Sequence, residues 1–462
     1  MHLAISSVKG RMRKPAPPTS MTAASIFFTF DPTQKLKVQI YKLKQPHKKA
    51  TCEAAMKIAL VHTSLWGRGG AERQLLNLAI ELQKLGNEVE VFTPQVNEKT
   101  CYPELLKQVT FNVLPHNRFV PFENDQNAYF DEAAGNRNIR NQVQRIAVHQ
   151  FYTSGLPAMI NLGRLIPEGF DIINNHNPPS EWAAFIAKRR LKIPVMWMCN
   201  EPPTWFTSNR TGIRKKISWP LFEIWDKTSV EYIDKIIVLS HVAEGMVRNV
   251  YNKPSTVIRT GLDIERLQNV SGAEVRKKYG LENDFVLLHV ANFAPNRQSN
   301  SIKAIAYLSK NHSNIKLILD GAGSHVELRK LSEKLNVKDK VLFIRSKCDS
   351  DLAKVYACCD VFLFPQQITW GLAAVEAMAS AKPIIVSKGC GVAEIIQDNI
   401  NGMLVEDGKP EEITKKVESL IADPTFRLKI GKNALDYVKE NLSWKKYAQQ
   451  MQQVFEKAIQ KN

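Results

Sequence analysis

The chain has 462 residues, of which 44% are hydrophobic and 23% are charged, and its formal net charge is +18. This composition excludes disordered, collagenous and fibrous proteins. A chain of this length exceeds the roughly 250–300 residues at which one hydrophobic core stops growing, so we expect two domains of about 200 residues each.

The cysteines and the apolar runs narrow the class further. Seven cysteines, with Cys358 and Cys359 adjacent and no C-x-x-C pair, argue against a disulfide framework and against a zinc ribbon. No apolar run approaches the roughly 20 residues that span a bilayer. We therefore expect a reducing, cytoplasmic location, with the inner face of the membrane as the alternative.

The first 55 residues are expected to lie outside the fold. They carry ten Lys or Arg residues and two acidic residues, show no helical or strand period, and contain Pro15, Pro17 and Pro18. Met56 directly precedes a typical first strand. We interpret residues 1–55 as a disordered tail or a mis-called start, because a targeting peptide would need a clearer cleavage site.

From Met56 onward, short runs of Val, Ile and Leu alternate with segments of helical period, which predicts an α/β protein with parallel sheets. A glycine turn after Val257 suits a crossover, so we place the domain boundary near residue 263, with domains at 56–262 and 263–440. Consecutive helices close the chain, and the last of them, within 441–462, is expected to pack on the N-terminal domain. The predicted strands are Lys57–His62, Glu88–Phe92, Asp171–Asn174, Pro194–Met198, Lys235–Leu239, Phe285–Val290, Lys316–Leu319, Lys340–Ile344, Val361–Phe364 and Pro383–Val386, and the predicted closing helices are Glu411–Ile421, Phe426–Glu440 and Trp444–Ile459.

Three glycine motifs follow predicted strands. Gly69 and Gly70 precede an amphipathic helix, and Gly321 and Gly323 end a later strand. Glycine lets backbone N–H groups approach an anion, and the start of a helix favours negative charge. A third helix opens at Gly371, and its first amides suit a diphosphate.

In sequence order these motifs resemble those of retaining glycosyltransferases of the GT-B family 4. The resemblance runs from residue 56 to about 460, and no single motif would be enough for it. It rests on Gly69-Gly70-x-Glu72, Gly321-x-Gly323, Trp370-Gly371-Leu372 with Glu376-Ala377-Met378-Ala379, Lys388 to Glu394, Asn401-Gly402 and the Trp444 helix.

The resemblance implies two Rossmann-like domains facing across a cleft, with a nucleotide sugar held mainly by the C-terminal domain and an acceptor by the N-terminal domain. It implies that Glu376 binds the ribose and that the amides of Gly371 and Leu372 contact the diphosphate or sugar. His176 would contact the sugar or the acceptor, with a satisfied loop histidine as the alternative. Gly69, Gly70, Gly321 and Gly323 would approach the donor closely, and Glu394 would lie beside the sugar as a third catalytic candidate with His176 and Arg297.

Two positions depart from the family pattern. The first of the family's paired glutamates falls on Ile368, which cannot accept a sugar hydroxyl, so Gln367 or Gln366 would have to replace it. Asn292 stands where the family has an arginine. Arg297 can replace the family's lysine because a guanidinium binds phosphate oxygens and stays charged, with a solvated surface arginine as the alternative.

One motif could hold a metal ion. Asp349-Ser350-Asp351 matches the Asp-x-Asp pattern of metal-dependent glycosyltransferases. The triplet precedes a predicted helix, where such residues are favoured at the N-terminus. We therefore expect no metal and no cofactor. The resemblance implies a same-face substitution in which the departing diphosphate, stabilised by Arg297, takes the acceptor's proton.

The predicted activity is transfer of a hexose from a nucleotide-diphosphate sugar to a glycan or lipid-linked acceptor. A non-catalytic nucleotide-sugar binder, or a phosphorylase or epimerase on the same fold, is the alternative. The segment Asn209–Trp225 combines basic and aromatic residues, which favours peripheral contact with an anionic membrane or, as the alternative, a core helix with a basic start. No recognised nucleic-acid module supports a nucleic-acid partner.

Overall fold

The computed structural model describes residues 39–41, 55–114, 155–202 and 213–461, and it describes side chains throughout these ranges except at 39–41 and 213–221. Within these residues, the first sheet has eight strands in the order β1-β4-β3-β2-β5-β6-β7-β8. All neighbouring strands are parallel except β1, which pairs antiparallel with β4. The strands are β1 (Gln39–Tyr41), β2 (Lys57–His62), β3 (Glu88–Thr93), β4 (Thr110–Val113), β5 (Ile172–His176), β6 (Val195–Met198), β7 (Lys235–Val238) and β8 (Ser255–Val257).

The second sheet is entirely parallel in the described residues, with six strands in the order β11-β10-β9-β12-β13-β14. In both sheets the first long strand lies in the middle: β2 lies between β3 and β5, and β9 between β10 and β12. Open α/β sheets bind ligands beside the carboxyl ends of the strands at such reversal points. The strands are β9 (Phe285–Val290), β10 (Ile315–Asp320), β11 (Val341–Ile344), β12 (Val361–Phe364), β13 (Ile384–Ser387) and β14 (Met403–Val405).

Helices cover both faces of each sheet. Some helices begin with a side-chain cap: the Ser240 hydroxyl, for example, accepts from the amide of Ala243 at 3.1 Å, whereas α1 has no such cap. The helices are α1 (Gly70–Lys84), α2 (Pro103–Leu106), α3 (155–165), α4 (Ser180–Leu191), α5 (Ile213–Glu231), α6 (His241–Tyr251), α7 (Ala273–Tyr279), α8 (Pro295–Leu308), α9 (Val326–Lys334), α10 (Asp349–Cys358), α11 (Leu372–Ala379), α12 (Pro410–Ala422), α13 (Pro424–Asn441) and α14 (Trp444–Lys461), with 3₁₀ turns at Glu265–Leu267, Lys338–Lys340 and Gly391–Ile395.

Alternate residues of the central strands serve different cores. Leu60 packs with Leu75 of α1 on one face of the first sheet, whereas Val61 packs with Trp182 of α4 on the other face. This alternation is the period of two expected when both faces of a strand are covered. The α1 side of the first sheet and one side of the second sheet share a continuous apolar core.

The C-terminal helix returns to the N-terminal domain. Gln74 of α1 donates to the Tyr447 hydroxyl at 3.1 Å, and Asn87 donates to Gln452 at 3.0 Å. Phe455 is fully buried in the shared core. The position of α14 therefore ties the end of the chain to the first domain.

All ten predicted strands are present, with ends within two residues of the prediction, which confirms the α/β class. Thr110–Val113 and Met403–Val405 were not predicted, because Thr110 and Asn112 interrupt the apolar residues of the first and the second has only three residues. Gln39–Tyr41 also differs from expectation, since residues 1–55 were predicted to contain no strand. Its antiparallel pairing with β4 adds an edge strand to the first sheet.

Two further expectations concern bonds and membranes. The six cysteines that the structure describes are free thiols, and all but Cys348 are buried. In the described part of the chain, no helix combines the length and apolar content that crossing a bilayer requires. Most of the basic segment Asn209–Trp225 lies outside the residues whose side chains are described, and its helical part belongs to α5.

Candidate functional site

Two histidines lie side by side at the reversal point of the first sheet. His62 ends β2 and His176 ends β5, and the two are direct register partners. His176 Nε2 lies 2.8 Å from the Asn174 side-chain oxygen, and His62 Nδ1 accepts from the amide of Ser64 at 3.2 Å. Both rings are buried, so His176 belongs to a strand end and not to a loop.

Burial keeps both imidazoles neutral. It lowers the pKa of His62 to about 4. It lowers the pKa of His176 well below the ordinary value, and the neighbouring His62 adds to this. This edge of the first sheet therefore presents uncharged hydrogen-bonding groups at neutral pH.

The glycine turn after β2 brings α1 against the second domain. A Cβ atom built on Gly70 would lie 3.3 Å from a methyl group of Leu372, the first residue of α11. The Glu72 carboxylate folds back against Gly69, and burial raises the pKa of Glu72 to about 7. Because Gly70 has no side chain, the starts of α1 and α11 lie directly against each other across the cleft.

Glycine is also required at the reversal point of the second sheet. A side chain at Gly321 would clash with the carbonyl oxygen of Ala291, so glycine allows the ends of β9 and β10 to approach. Gly371 has a φ of 106°, in the left-handed region, and it caps α11. The first amides of α11 consequently open toward the cleft, where an anion is favoured.

Arg297 lies in the first turn of α8, after the end of β9. Among the described residues its guanidinium forms no ion pair. Its charge, together with burial as the larger cause, lowers the pKa of His289 to about 3. Arg297 is half-buried and Asn292, where the family has arginine, is exposed. The edge of the second sheet therefore holds one unpaired cation beside a helix start.

Glu376 is held in a buried ionic network. Arg266 donates to one carboxylate oxygen, and the Tyr356 hydroxyl donates to the other at 2.9 Å. Arg73 of the first domain approaches the same carboxylate at 3.8 Å. Each carboxylate oxygen has two lone-pair sites, so this network leaves capacity for a hydroxyl of a ligand.

Asp349 connects the domains directly. It accepts from Arg73, and Arg68 lies 3.6 Å from the same carboxylate oxygen. Asp349 does begin α10, as the helix-start interpretation predicts, but Cys348 is the N-cap residue and makes no side-chain cap. The aspartate's main partners are arginines across the cleft.

Comparison with known proteins identifies the family. Two family models match the chain, Glycosyltransferase Family 4 over residues 68–266 and Glycosyl transferases group 1 over residues 272–437. The chain belongs to glycosyltransferase family 4. The arrangement of two Rossmann-like sheets is accordingly the GT-B fold.

Individual relatives agree with this assignment. Two uncharacterized glycosyltransferases of Methanocaldococcus jannaschii are 27% identical over 266 residues (55% of this chain, 66% of the relative) and 26% identical over 380 residues (79% and 96%). This chain thus spans about two thirds of the first relative and nearly all of the second. The crystal structure of Anabaena HepE in complex with UDP-glucose matches with a TM-score of 0.64 and 17% identity, covering 87% of this chain and 100% of HepE.

The structure brings most of the predicted donor-site residues of the family 4 chain to one edge. Gly321, Arg297, Gly371, Leu372 and Glu376 follow the ends of adjacent strands of the second sheet, and Gly70, next to Gly69, faces Leu372 from the first domain. Gly323 is in the same turn as Gly321 and has a φ of 96°.

Two predicted residues are engaged elsewhere. The Gln367 amide donates to Asp407 at the surface. Glu394 accepts from the backbone amide of Val242 at 3.0 Å and pairs with Arg259 at 3.1 Å, both in the first domain. These contacts give Glu394 a role in joining the domains, and its position beside the sugar stays a prediction.

Sequence reasoning missed several residues of the site. Arg266 lies in a 3₁₀ turn of the crossover and Arg73 lies on α1, and neither stands in a motif that reveals its partner Glu376. Gln366 is 4% exposed and its amide nitrogen has no partner, whereas its neighbour Gln367 is exposed. The only available signal for His62 was its place as the last residue of the first strand.

Proposed function

We propose that this protein is a retaining hexosyltransferase that moves a hexose from a nucleotide-diphosphate sugar to a glycan or lipid-linked acceptor without a metal ion. The observation that carries the proposal is the meeting of the two reversal points, with Gly70 against Leu372 at the start of α11. In HepE, a protein of the same fold, the crystals contain UDP-glucose.

The second domain supplies the groups that a diphosphate needs. The amides at the start of α11 and the unpaired guanidinium of Arg297 both favour negative charge at the edge of the second sheet. When the sugar–phosphate bond breaks, negative charge grows on the diphosphate oxygens. Fixed cations and amides that are already in place stabilise this charge.

Retention is proposed from the resemblance of the glycine motifs and the Glu376 helix to those of retaining family 4 glycosyltransferases. A route without a covalent glycosyl-enzyme is proposed from the partners of two carboxylates in the described residues. Glu376 and Glu394 are both held by arginines, at Arg266 and Arg259. Retaining hydrolases use two carboxyl groups about 5–5.5 Å apart on either side of the bond. We propose instead that the diphosphate leaves and the acceptor enters on the same face, with the leaving phosphate taking the acceptor's proton.

Metal independence is proposed from the partners of Asp349. A divalent ion would need carboxylate oxygens free to bind it. The Asp349 carboxylate is neutralised by Arg73 and Arg68, and Asp351 accepts from the backbone amide of Lys347 at 3.3 Å. The arginines supply the positive charge that a metal would otherwise provide.

The test is release of nucleoside diphosphate from UDP-, GDP- and ADP-hexoses in the presence of EDTA, with the anomeric configuration of the product read by NMR. Turnover with one nucleotide series and a product of the donor's own configuration supports the proposal. An inverted product contradicts retention, and loss of turnover in EDTA that added Mg²⁺ restores contradicts metal independence.

A non-catalytic nucleotide-sugar binder is the second candidate. It is favoured by Ile368, which is half-buried against the core and offers no oxygen to a sugar hydroxyl, and by the engagement of Gln367 with Asp407. Binding of a nucleotide sugar without any release of the nucleoside diphosphate would favour this candidate.

The acceptor is proposed to lie on the first domain, next to a membrane surface. On α5, Ile224 is a large apolar residue with 62% of its surface exposed. Flotation with liposomes containing anionic lipid tests this, with Ile224→Ser as the variant and neutral liposomes as the control. Recovery of the wild-type protein in the soluble fraction with both kinds of liposome would contradict it.

A further inference from the structure

Two carboxyl groups are buried together inside the first domain. Glu181, in the first turn of α4, has no exposed surface, and Asp226 of α5 is 2% exposed. In the part of the chain that the structure describes, neither group forms an ion pair with a lysine or an arginine. A buried charge without a counterion is costly, so the protonation of these two groups needs an explanation.

The two carboxyl groups differ in their hydrogen bonds. Asp226 accepts from the Trp182 indole N–H at 3.0 Å through one oxygen and from the Tyr251 hydroxyl at 2.7 Å through the other. Neither carboxyl oxygen of Glu181 has a hydrogen-bond partner. Hydrogen bonds donated to a carboxylate favour its charged form, so Asp226 is the carboxylate and Glu181 is the protonated acid.

Burial and mutual repulsion act in the same direction on Glu181. Burial raises the pKa of Glu181 well above its ordinary value, and the facing Asp226 raises it further. Burial also raises the pKa of Asp226, but hydrogen bonds, those from Trp182 and Tyr251 among them, oppose this shift. Asp226 therefore loses its proton first, and its charge then makes loss of the second proton harder.

The other titratable groups around the pair do not neutralise it. Cys199, after β6, and Tyr251, at the end of α6, are buried, and burial together with the two carboxyl groups raises the pKa of each well above its ordinary value. Lys227 follows Asp226 on α5 and lowers its pKa, but the Lys227 side chain is 48% exposed. Glu201, which also raises the pKa of Cys199, is exposed and adds negative charge.

The pair lies where α5 packs on the rest of the first domain. Asp226 connects α5 to α4 through Trp182 and to α6 through Tyr251. Trp182 also stacks on Phe222 of α5, with ring centroids 6.1 Å apart. A second negative charge, on Glu181, would repel Asp226 at this contact, where the surroundings screen charge weakly.

We propose that Glu181 and Asp226 form a pH-dependent switch that holds α5 on α4. In the closed form the pair carries one proton, on Glu181. When the pH rises far enough for Glu181 to release that proton to water, the two facing carboxylates repel each other and α5 loosens from α4. The switch depends on the packing of the first domain and not on the proposed function.

Proton linkage gives the sign and the size of the effect. Between the ordinary pKa of Glu181, 4.5, and its raised pKa in the folded protein, the folded state binds one more proton at this site than the unfolded state. The stability that this proton provides is fully present below pH 4.5 and is lost as the pH rises. The unfolding constant therefore rises up to about tenfold per pH unit through this group, and Glu181→Gln, which cannot ionise, removes that rise.

The first measurement is urea unfolding of the full chain at pH 5 and pH 7. Over this range the unfolding constant of the wild type should rise at least tenfold more than that of Glu181→Gln. Glu72 and the buried histidines titrate in both proteins, so their contributions cancel in the comparison. The matched control is Glu231→Gln, also on α5, where Glu231 is 65% exposed, and it should follow the wild type.

Hydrogen exchange read by mass spectrometry locates the effect. After correction for intrinsic rates, the protection of residues 222–231 in α5 should fall at least tenfold between pH 6 and pH 8 in the wild type and in Glu231→Gln. In Glu181→Gln these residues should keep their protection. If Glu181→Gln does not fold, Asp226→Asn takes its place, because it removes the facing charge and should also keep α5 protected at pH 8.

Equal pH dependence of the unfolding constant in the wild type and in Glu181→Gln would overturn the inference. So would α5 protection that falls equally in the two proteins, because α5 would then open without ionisation of Glu181. If Asp226→Asn is the variant used, loss of α5 protection as large as in the wild type would overturn it in the same way.

Discussion

Replacing Glu376 with glutamine should destabilise the protein, because the change leaves a buried guanidinium without its counterion. The side chains of Glu376 and Arg266 are 8% and 13% exposed. Removing one partner of a buried ion pair costs about 3–5 kcal/mol. Arg73 keeps Asp349 as a partner, so Arg266 is the main orphan and we expect the lower end, about 3 kcal/mol.

This free energy converts to a measurable shift. Unfolding entropy is about 2.1 cal/mol/K per residue, which for the roughly 360 residues that the structure describes gives about 0.8 kcal/mol/K and a fall in Tm of about 4 °C. Differential scanning calorimetry measures it. Adding Arg266→Met to Glu376→Gln removes the orphaned charge and should recover most of the loss.

The matched control is Glu274→Gln, which breaks the pair of Glu274 with Lys354 at 2.6 Å on the surface, where Glu274 is 74% exposed. Exposed pairs contribute little, so its Tm should equal that of the wild type. A Glu376→Gln protein within 1 °C of the wild type, or a double variant no more stable than the single one, would refute the buried-network reasoning.

Three further changes test the site. Arg297→Ala removes a cation with no ion pair among the described residues, so the Tm should stay unchanged. The kcat of nucleoside diphosphate release should fall about 100-fold. An unchanged kcat would place Arg297 outside the reaction. Gly70→Val fills the space against Leu372 and should weaken donor binding. Gly67→Val should not, because no atom lies within 4 Å of a Cβ at Gly67. Equal donor affinities of the two variants would contradict the importance of the contact at Gly70. The Glu72 carboxyl has a pKa of about 7 in the folded protein, against an ordinary value of 4.5. Between these two pH values the folded state binds more protons than the unfolded state, so the free energy of unfolding falls as the pH rises. Denaturant midpoints against pH should fall less steeply in Glu72→Gln, and superimposable curves would argue against the shift.

Much of the fold was predictable because it depends on local period. Strands such as Phe285–Val290 are long enough to show a continuous apolar run, and the closing helices repeat their apolar face over three turns or more. Met403–Val405, by contrast, is a three-residue strand at the edge of the second sheet, and it depends on pairing with β13. Three residues are too few to show a period.

The site was predictable only where glycine or a helix start marks it. Gly70, Gly321 and Gly371 could be found from sequence because close backbone approach excludes other residues. The partners of Glu376 could not, since Arg266 is 110 residues away along the chain and Arg73 lies in another domain. Ion pairs between residues so far apart in the chain follow no regular spacing, so no sequence pattern reveals them.

The most direct test of the account is equilibrium titration of the wild-type protein with UDP-, GDP- and ADP-sugars, each without metal. We expect binding confined to one nucleotide series, with affinity lowered at least tenfold in Arg297→Ala. Absence of binding by any series, or equal affinity in Arg297→Ala, would contradict a nucleotide-sugar site at the edge of the second sheet.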